Sequence, residues 1–229
     1  MCIRDRNSHA DMEGNVYYFY IHDDWSGLNY TWPQRKKNKD NNVLCFKFFV
    51  GVAGGRNPDI ITKSDCDGAI TSAVAELKWH SDTSLPNKFP HNSRLERSVR
   101  TTKSGTRANM LQCGGNDDAT APAFQHACIA LSIMQKAPVL EHEKNESGKV
   151  APGYAWKPLR TCWEAHHGGE PFFGPRQPFG RLCWFYKKAG NTMTPNAAPG
   201  LFLGWKINFG MRYNGALKII DYDLSLIHI

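Results

Sequence analysis

Two acidic residues occupy positions that favour a divalent-metal site. Asp65 follows Asp59–Ser64, an apolar segment typical of a short strand, and Glu96 falls in the first turn or so of a long predicted helix. Acids at such strand ends face the crevice where open α/β sheets bind ligands, and Mg²⁺ prefers carboxylate oxygens. Two ions held there would stabilise an in-line phosphoryl transfer. On spacing alone, two solvated surface acids are the alternative.

The same predicted helix carries a basic stripe. Glu96, Arg100, Lys103 and Arg107 follow one another at helical spacing and share one face. A neighbouring face is more apolar and consists of Leu95, Val99, Thr102, Thr106 and Met110. Phosphates that approach the acid would lie against the stripe, because Arg and Lys give sequence-independent affinity for nucleic acid. An ordinary solvated basic face is the alternative.

Strand and helix patterns alternate up to about Lys136. Strands are predicted at Val16–Ile21, Leu28–Trp32 (stopped by Pro33), Asp59–Ser64 and Trp79–Thr83, and helices at Val43–Val50, Ala69–Leu77, Asn92–Gln112 and Ala119–Met134. Asp23 and Asp24 belong to a predicted turn. Three short strands follow a polar stretch, at Arg181–Lys187, Gly200–Lys206 and Ala216–Tyr222, and favour a small barrel. We expect Trp156, Trp163, Trp184 and Trp205 to form its core rather than a platform for stacking single strands.

The net charge indicates the kind of partner, and the cysteine pattern indicates the cellular compartment. The net charge of +7 and the pI near 9.0 favour a polyanionic partner. None of the seven cysteines forms a C-x-x-C pair, so no zinc knuckle or redox motif is visible, and we expect reduced thiols in the cytoplasm or nucleus. No apolar run is long enough to cross a membrane, so no membrane partner is expected. His80, His126, His166 and His167 have no metal-ligand spacing and are expected in the core or on the surface.

The two ends of the chain fit one inverted repeat at the level of DNA. MCIRDR (Met1–Arg6) and LSLIHI (Leu224–Ile229) can be encoded by complementary strands of the same short sequence. The pair is typical of translated adapter ends from a transposase used to prepare sequencing libraries. We therefore expect residues 1–6 and 224–229 to be foreign, to pack against nothing essential, and to enclose a piece of a longer protein.

Several segments, taken in order, resemble the integrase region of retroelement Pol polyproteins of the copia-like class. PHNSRLER resembles the motif around the catalytic Glu, matching it at Asn92, Glu96 and Arg97, and Asp65 lies 31 positions before Glu96. IHDDWSG resembles the turn after the second strand of these cores. TCWEAHHGGEPF, PFGRLCWFY and APGLFLGW resemble the SH3-like barrel that follows the core.

The resemblance implies an α/β, RNase H-like core that cleaves and joins DNA strands with Mg²⁺ (or Mn²⁺). Asp65 and Glu96 would be the second and third metal ligands, Asp11 is the nearest candidate for the first, and Arg97 joins Arg100, Lys103 and Arg107 at DNA. The implied boundaries are 7–136 for the core, 137–180 for a linker and 181–223 for the barrel. Double-stranded DNA and other copies of the chain, in a homo-oligomer, are the implied partners.

Departures from the family pattern favour an alternative. Cys66, Ala69 and Ser93 stand where the family usually has Asn, Glu and Gly, and the first acid should lie on the strand before Val16–Ile21. A catalytically decayed DNA-binding module of a retroelement would show such changes. A structural or protein-interaction fragment is the third alternative, favoured only if the basic helix is buried.

Overall fold

The computed structural model describes residues 2–6 (backbone), 10–11, 13–54, 59–83, 93–115, 117–138, 160–187 and 196–222. Its strands are β1 (Cys2–Arg6), β2 (Tyr17–His22), β3 (Asn29–Gln34), β4 (Ile61–Ser64), β5 (His80–Thr83), β6 (Leu182–Tyr186), β7 (Ala197–Asn208) and β8 (Arg212–Asp221). Its α-helices are α1 (Lys39–Gly54), α2 (Gly68–Glu76), α3 (Ser93–Cys113), α4 (Thr120–Met134) and α5 (Cys162–His166).

The first five strands form one mixed sheet in the order β3-β2-β1-β4-β5. β1 is antiparallel to β2 and parallel to β4, β2 is antiparallel to β3, and β4 is parallel to β5. The parallel pair β4 and β5 is connected through α2, as parallel strands require a crossover. The class is mixed α/β, as the alternation of patterns predicts.

The amino-terminal segment forms a strand inside the sheet. β1 pairs with β2 from Cys2 opposite Ile21 to Arg6 opposite Tyr17, and Cys2 also pairs with Ser64 of β4. Residues 1–6 are expected to pack against nothing essential, whereas Cys2–Arg6 pair along their length with β2. Pairing of this kind joins backbone groups, so it depends little on which side chains the strand carries. Residues 224–229 lie outside the described part of the chain.

Helices cover both faces of the sheet because β2 is apolar on both sides. The ring of Phe19 packs edge-on against Phe46 of α1, with 5.3 Å between ring centroids. On the other face, Tyr18 packs against Phe124 of α4 at 5.5 Å. Strands that are buried on both faces have continuous apolar runs rather than an alternating pattern, as the Tyr17–Ile21 run does.

The strand β3 continues through Pro33 to Gln34, so the prediction that Pro33 stops it was wrong. Proline has no backbone N–H to donate, but β3 is at the edge of the sheet. An edge strand has one unpaired side, where that missing donor is tolerated.

The C-terminal unit packs against the first sheet's helices. The ring of His126 in α4 stacks on Trp205 of β7 with 5.0 Å between centroids. Gly51, which has φ 78° near the end of α1, approaches Gly210 so closely that a Cβ on Gly51 would lie 3.3 Å from the Gly210 Cα. Only glycine combines such a positive φ with that approach. One hydrophobic core therefore runs through both parts.

The predicted linker is packed structure in the part that the structure describes, 160–180. The short helix α5 begins with a capping box, in which Thr161 and Glu164 each accept a hydrogen bond from the other's backbone N–H. Trp163 and Phe172 belong to the common core. Residues 139–159 of the predicted linker lie outside the described part.

The last three strands form an antiparallel sheet in the order β6-β7-β8, and the described residues do not close it into a barrel. Trp205 and Trp163 are buried, with Trp205 only 3% exposed, as expected of core residues. Trp184 is 70% exposed, so its prediction as barrel core was wrong. Side chains alternate between the two faces of a strand. Trp184 shares with Leu182 and Tyr186 the face of β6 that is turned away from the core. Trp156 lies outside the described residues.

Candidate functional site

Asp65 and the first turn of α3 lie at the same end of the sheet. In one row of paired residues, Ile21 lies opposite Cys2, and Cys2 opposite Ser64, the residue before Asp65. Ile21 and Ser64 are therefore two interstrand spacings apart, which is about 10 Å. The start of α3 lies over this row, because Ser98 Oγ is 3.3 Å from Nδ1 of His22, the residue after Ile21. Glu96 belongs to this first turn of α3.

The next row identifies the strand position level with Asp65. The Tyr20 hydroxyl contacts Ser98 Oγ at 2.8 Å and Thr102 Oγ1 at 3.0 Å, so Tyr20 faces α3. Ile3 is the partner of Tyr20 in β1, and it follows Cys2 as Asp65 follows Ser64. Neither Cys2 nor Ile3 is acidic. The acid of β1, Asp5, pairs with Tyr18, two residues farther along the strand.

The structure does not bring Asp11 to Asp65. Asp11 lies between β1 and β2, beyond the pair of Arg6 and Tyr17, at the opposite end of β1 from Cys2. The two ends of β1, at Cys2 and Arg6, are four residues apart along the strand, or about 14 Å. The Asp11 carboxylate is buried and accepts hydrogen bonds from the backbone N–H of Glu13 at 3.0 Å and of Asn15 at 2.8 Å. It stabilises its own turn, a role that short-range sequence reasoning missed.

Asp23 is a turn residue, as predicted. Its carboxylate accepts hydrogen bonds from the Trp25 N–H at 3.1 Å and the Ser26 hydroxyl at 2.5 Å, and it lies 3.4 Å from Nδ1 of His166 in α5. Burial alone would raise the pKa of Asp23, but the hydrogen bonds from His166 and Ser26 outweigh it and lower that pKa to about 2. The pair joins the β2–β3 turn to the C-terminal unit.

The core-facing side of α3 is as predicted: Leu95, Val99, Thr102 and Thr106 are buried. Arg100 and Arg107 are exposed, and Lys103 is half-buried. Lys103 and Arg107 line a cavity of about 560 Å³ together with Tyr18 and Phe124. The stripe thus runs along β2, from its His22 end toward its Tyr18 end. The condition that would favour the third alternative, a structural or protein-interaction fragment, is therefore not met, because the basic stripe is not buried.

Arg97 is separated from the stripe. It comes one residue after Glu96, and successive helical residues are about 100° apart around the axis. It lines a different cavity, on the other side of α3, with Arg94 and His22. Sequence reasoning gave no signal for this cavity, because its members come from β2, α3 and the end of α4.

The metal-ligating residue types form no cluster in the part of the chain that the structure describes. Within the described ranges, no group of three or more His, Cys, Asp or Glu side chains is arranged to hold a metal ion. His126 and His167 instead interact with backbone carbonyls, of Gln177 at 3.1 Å and of Met211 at 3.2 Å. Cys45, Cys66, Cys113, Cys128, Cys162 and Cys183 form no disulfide. No helix in the described part of the chain has the length and apolarity needed to cross a membrane.

Comparison with known proteins gives structural similarities only. No protein-family model matches the chain, and no curated protein matches its sequence. The catalytic core domain of BIV integrase is similar at a TM-score of 0.42 and 14% identity, over 65% of this chain and 87% of that one. The HTLV-2 integrase catalytic core domain in complex with magnesium is similar at 0.45 and 15% identity, over 73% and 93%.

A third solved structure covers nearly the whole chain. It is the simian T-cell lymphotropic virus intasome in complex with the PP2A regulatory subunit B56 gamma. Its TM-score is 0.47 at 14% identity, over 97% of this chain and 74% of that one.

Proposed function

We propose that the chain is a piece of a copia-like retroelement integrase with an RNase H-like core, a protein that cleaves and transfers DNA strands. One observation carries the proposal. The strand end that precedes Asp65 and the first turn of α3, which holds Glu96, meet at one end of the five-stranded sheet. Carboxylates collected at a strand end and a helix start suit phosphoryl transfer on a polyanion.

The chain's own cations supply affinity for DNA. Arg100, Lys103 and Arg107 continue the Glu96 face of α3, so a DNA backbone seated on them passes the acidic end of the sheet. Contacts of this kind go to phosphates and position the duplex without reading bases. The net charge of +7 favours the same partner over long range. We expect binding as a homo-oligomer, in the cytoplasm and nucleus.

The metal that the family implies, Mg²⁺ or Mn²⁺, fits the present residues only in part. Asp65 and Glu96 offer the hard oxygen ligands that such ions prefer. The two strand positions of β1 that should add a third acid are occupied by Cys2 and Ile3, and Asp11 lies at the other end of β1. Cleavage therefore requires an acid that β1 of this chain does not present there.

The incomplete acid set favours a second candidate, a catalytically decayed DNA-binding module. In that case the basic face of α3 retains its affinity for DNA, and no single replacement restores chemistry. We also propose that residues 1–6 are foreign, and the first candidate then depends on whether an acid placed in β1 restores cleavage.

Binding is tested by titrating duplex DNA at several salt concentrations. Replacing Arg100, Lys103 and Arg107 by Gln should flatten the log–log salt slope by roughly two to three units, about 0.9 for each phosphate contact. A charge-matched control replaces Lys47, Lys78 and Arg212, which are exposed on other elements. The control should change the slope by less than about one unit. Equal slopes in all three proteins would remove the Arg100, Lys103 and Arg107 face of α3 from the DNA interface.

Catalysis is tested by placing an acid in β1. Ile3→Asp puts a carboxylate in the row of Tyr20, level with Asp65. The integrase proposal expects Mg²⁺-dependent nicking of supercoiled plasmid by this variant and none by Ile3→Asp/Glu96→Gln. Folded Ile3→Asp that binds DNA without nicking supports the decayed module. Nicking that survives Glu96→Gln indicates a contaminating nuclease.

A further inference from the structure

A cavity of about 420 Å³ lies across α3 from the Lys103 and Arg107 flank. Residues of the β2–β3 turn, α3 and the end of α4 line it. Its charged and hydrogen-bonding walls include His22, Asp24, Arg94, Arg97, Ser98 and Lys136. Neither the candidate metal ligands nor the basic stripe contributes to it.

The charge of the cavity is positive. Arg94 and Arg97 come from α3 and Lys136 from the residues after α4, and all three line the same cavity. Asp24 is the only acid among the described lining residues. Guanidinium groups match the geometry of oxyanions with two parallel donors. The volume accommodates a tetrahedral oxyanion with its hydration.

A chain of hydrogen bonds fixes the tautomer of His22. Thr102 Oγ1 donates to the Ser98 carbonyl at 2.9 Å, so it accepts from the Tyr20 hydroxyl at 3.0 Å. Each hydroxyl has one hydrogen. Tyr20 therefore accepts from Ser98 Oγ at 2.8 Å, and Ser98 in turn accepts from Nδ1–H of His22 at 3.3 Å.

This directionality has two consequences. The Ser98 hydroxyl donates its hydrogen bond to Tyr20 and accepts one from His22, so His22 is not placed to act on Ser98 as a base, although Ser98, His22 and Asp24 lie in series. Nε2 of neutral His22 carries a lone pair, and it lies 3.6 Å from the Asp24 carboxylate. Two acceptors then face each other, and a proton on Nε2 would turn that contact into an ion pair.

The surroundings of His22 hold it neutral. Burial lowers the pKa of His22, the carboxylates of Asp24 and Asp23 oppose this, and Arg94 lowers it further. Arg97 and Lys136, which line the same cavity, add positive potential from α3 and the end of α4. An anion among these cations reverses the balance, because it offsets the positive charges that disfavour imidazolium.

We propose that this cavity binds a phosphate-class oxyanion against Arg94, Arg97 and Lys136, and that binding takes up one proton from solvent at Nε2 of His22. The anion is either a phosphodiester of a nucleic-acid backbone or a free inorganic anion. The site is independent of Glu96, so it stands or falls separately from the proposed catalysis.

Sulfate is the first probe, because its charge is constant over the useful pH range. Sulfate should shift the His22 imidazole resonances, and its affinity should rise as pH falls, by up to about tenfold per unit for one linked proton. Replacing Arg94, Arg97 and Lys136 by Gln should weaken sulfate binding at least about tenfold. Replacing Arg100, Lys103 and Arg107 by Gln removes the same charge and should leave the sulfate affinity within about twofold of the parent. His22→Gln should retain binding and lose its pH dependence.

Duplex DNA distinguishes the two sources. A salt slope that falls by about two to three units in the Arg94, Arg97 and Lys136 variant assigns the site to a nucleic-acid backbone. An unchanged slope, with sulfate binding lost, assigns it to a free anion. Equal sulfate affinity in both triple variants overturns the proposal, as does a pH dependence that survives His22→Gln. If no variant binds DNA, the proposed function fails, and the sulfate titration still decides this site.

Discussion

Proline substitution in β1 tests whether the amino-terminal segment holds the sheet together. Ile3 and Arg4 lie in the middle of β1 and pair with Tyr20 and Phe19. Successive N–H groups of a strand point to opposite neighbours. One of the two variants, Ile3→Pro or Arg4→Pro, must therefore remove a donor to β2. Proline inside a sheet leaves the facing carbonyl without its donor, and we expect a loss of about 3 kcal/mol in the free energy of unfolding, at the upper end for a buried unpaired group.

That loss is a large part of the 5–15 kcal/mol typical of a folded domain. For a chain of this size it corresponds to a fall of about 6–12 °C in melting temperature. Urea and thermal unfolding measure it, and Arg4→Thr is the control because it keeps the N–H and suits a strand. If both proline variants unfold within about 0.5 kcal/mol of the parent, β1 does not pair with β2.

Three further predictions concern stability. Trp205→Ala should lower the free energy of unfolding by about 3–5 kcal/mol, and Trp184→Ala by less than about 1, since one ring is buried and the other exposed; similar losses in urea titrations would mean that the outer face of β6 is covered. Asp23→Asn should cost about 1–2 kcal/mol at neutral pH. Because its pKa falls from 3.8 to about 2 on folding, the contribution is present above about pH 4 and lost as pH falls toward 2, so a constant difference between Asp23→Asn and parent from pH 7 to 2 would contradict it. Thr161→Ala should cost about 1 kcal/mol by removing the cap of α5, whereas Thr161→Ser should be nearly neutral in the same thermal scans.

Much of the first sheet and its helices follows from local pattern. The Tyr17–Ile21 run predicts a buried strand, and Leu95 and Val99 mark the core face of α3, because burial imposes a period on the sequence. The strand β1 could not be predicted. Cys2–Arg6 has no such period, and its place depends on a gap between β2 and β4 that backbone groups alone can fill.

The candidate site was predictable only as far as element order determines it. A strand end and a helix start predict where Asp65 and Glu96 lie, whereas Asp11 depends on the path of a loop. The link between Ser98 and His22 spans 76 positions, and no short-range pattern encodes such a contact. The exposure of Trp184 likewise depends on which face of a three-stranded sheet meets the core.

Metal binding by the Ile3→Asp variant decides whether Asp65 and Glu96 face one shared site. If Asp65 and Glu96 face one site at the end of the sheet, a third carboxylate beside Asp65 completes it. Calorimetric titration with Mn²⁺ should then show tighter binding to Ile3→Asp than to the parent, at least about tenfold, and Glu96→Gln in that background should abolish the gain. Ile3→Asp that stays folded and binds Mn²⁺ no better than the parent, or a gain that Glu96→Gln leaves intact, would contradict the shared site.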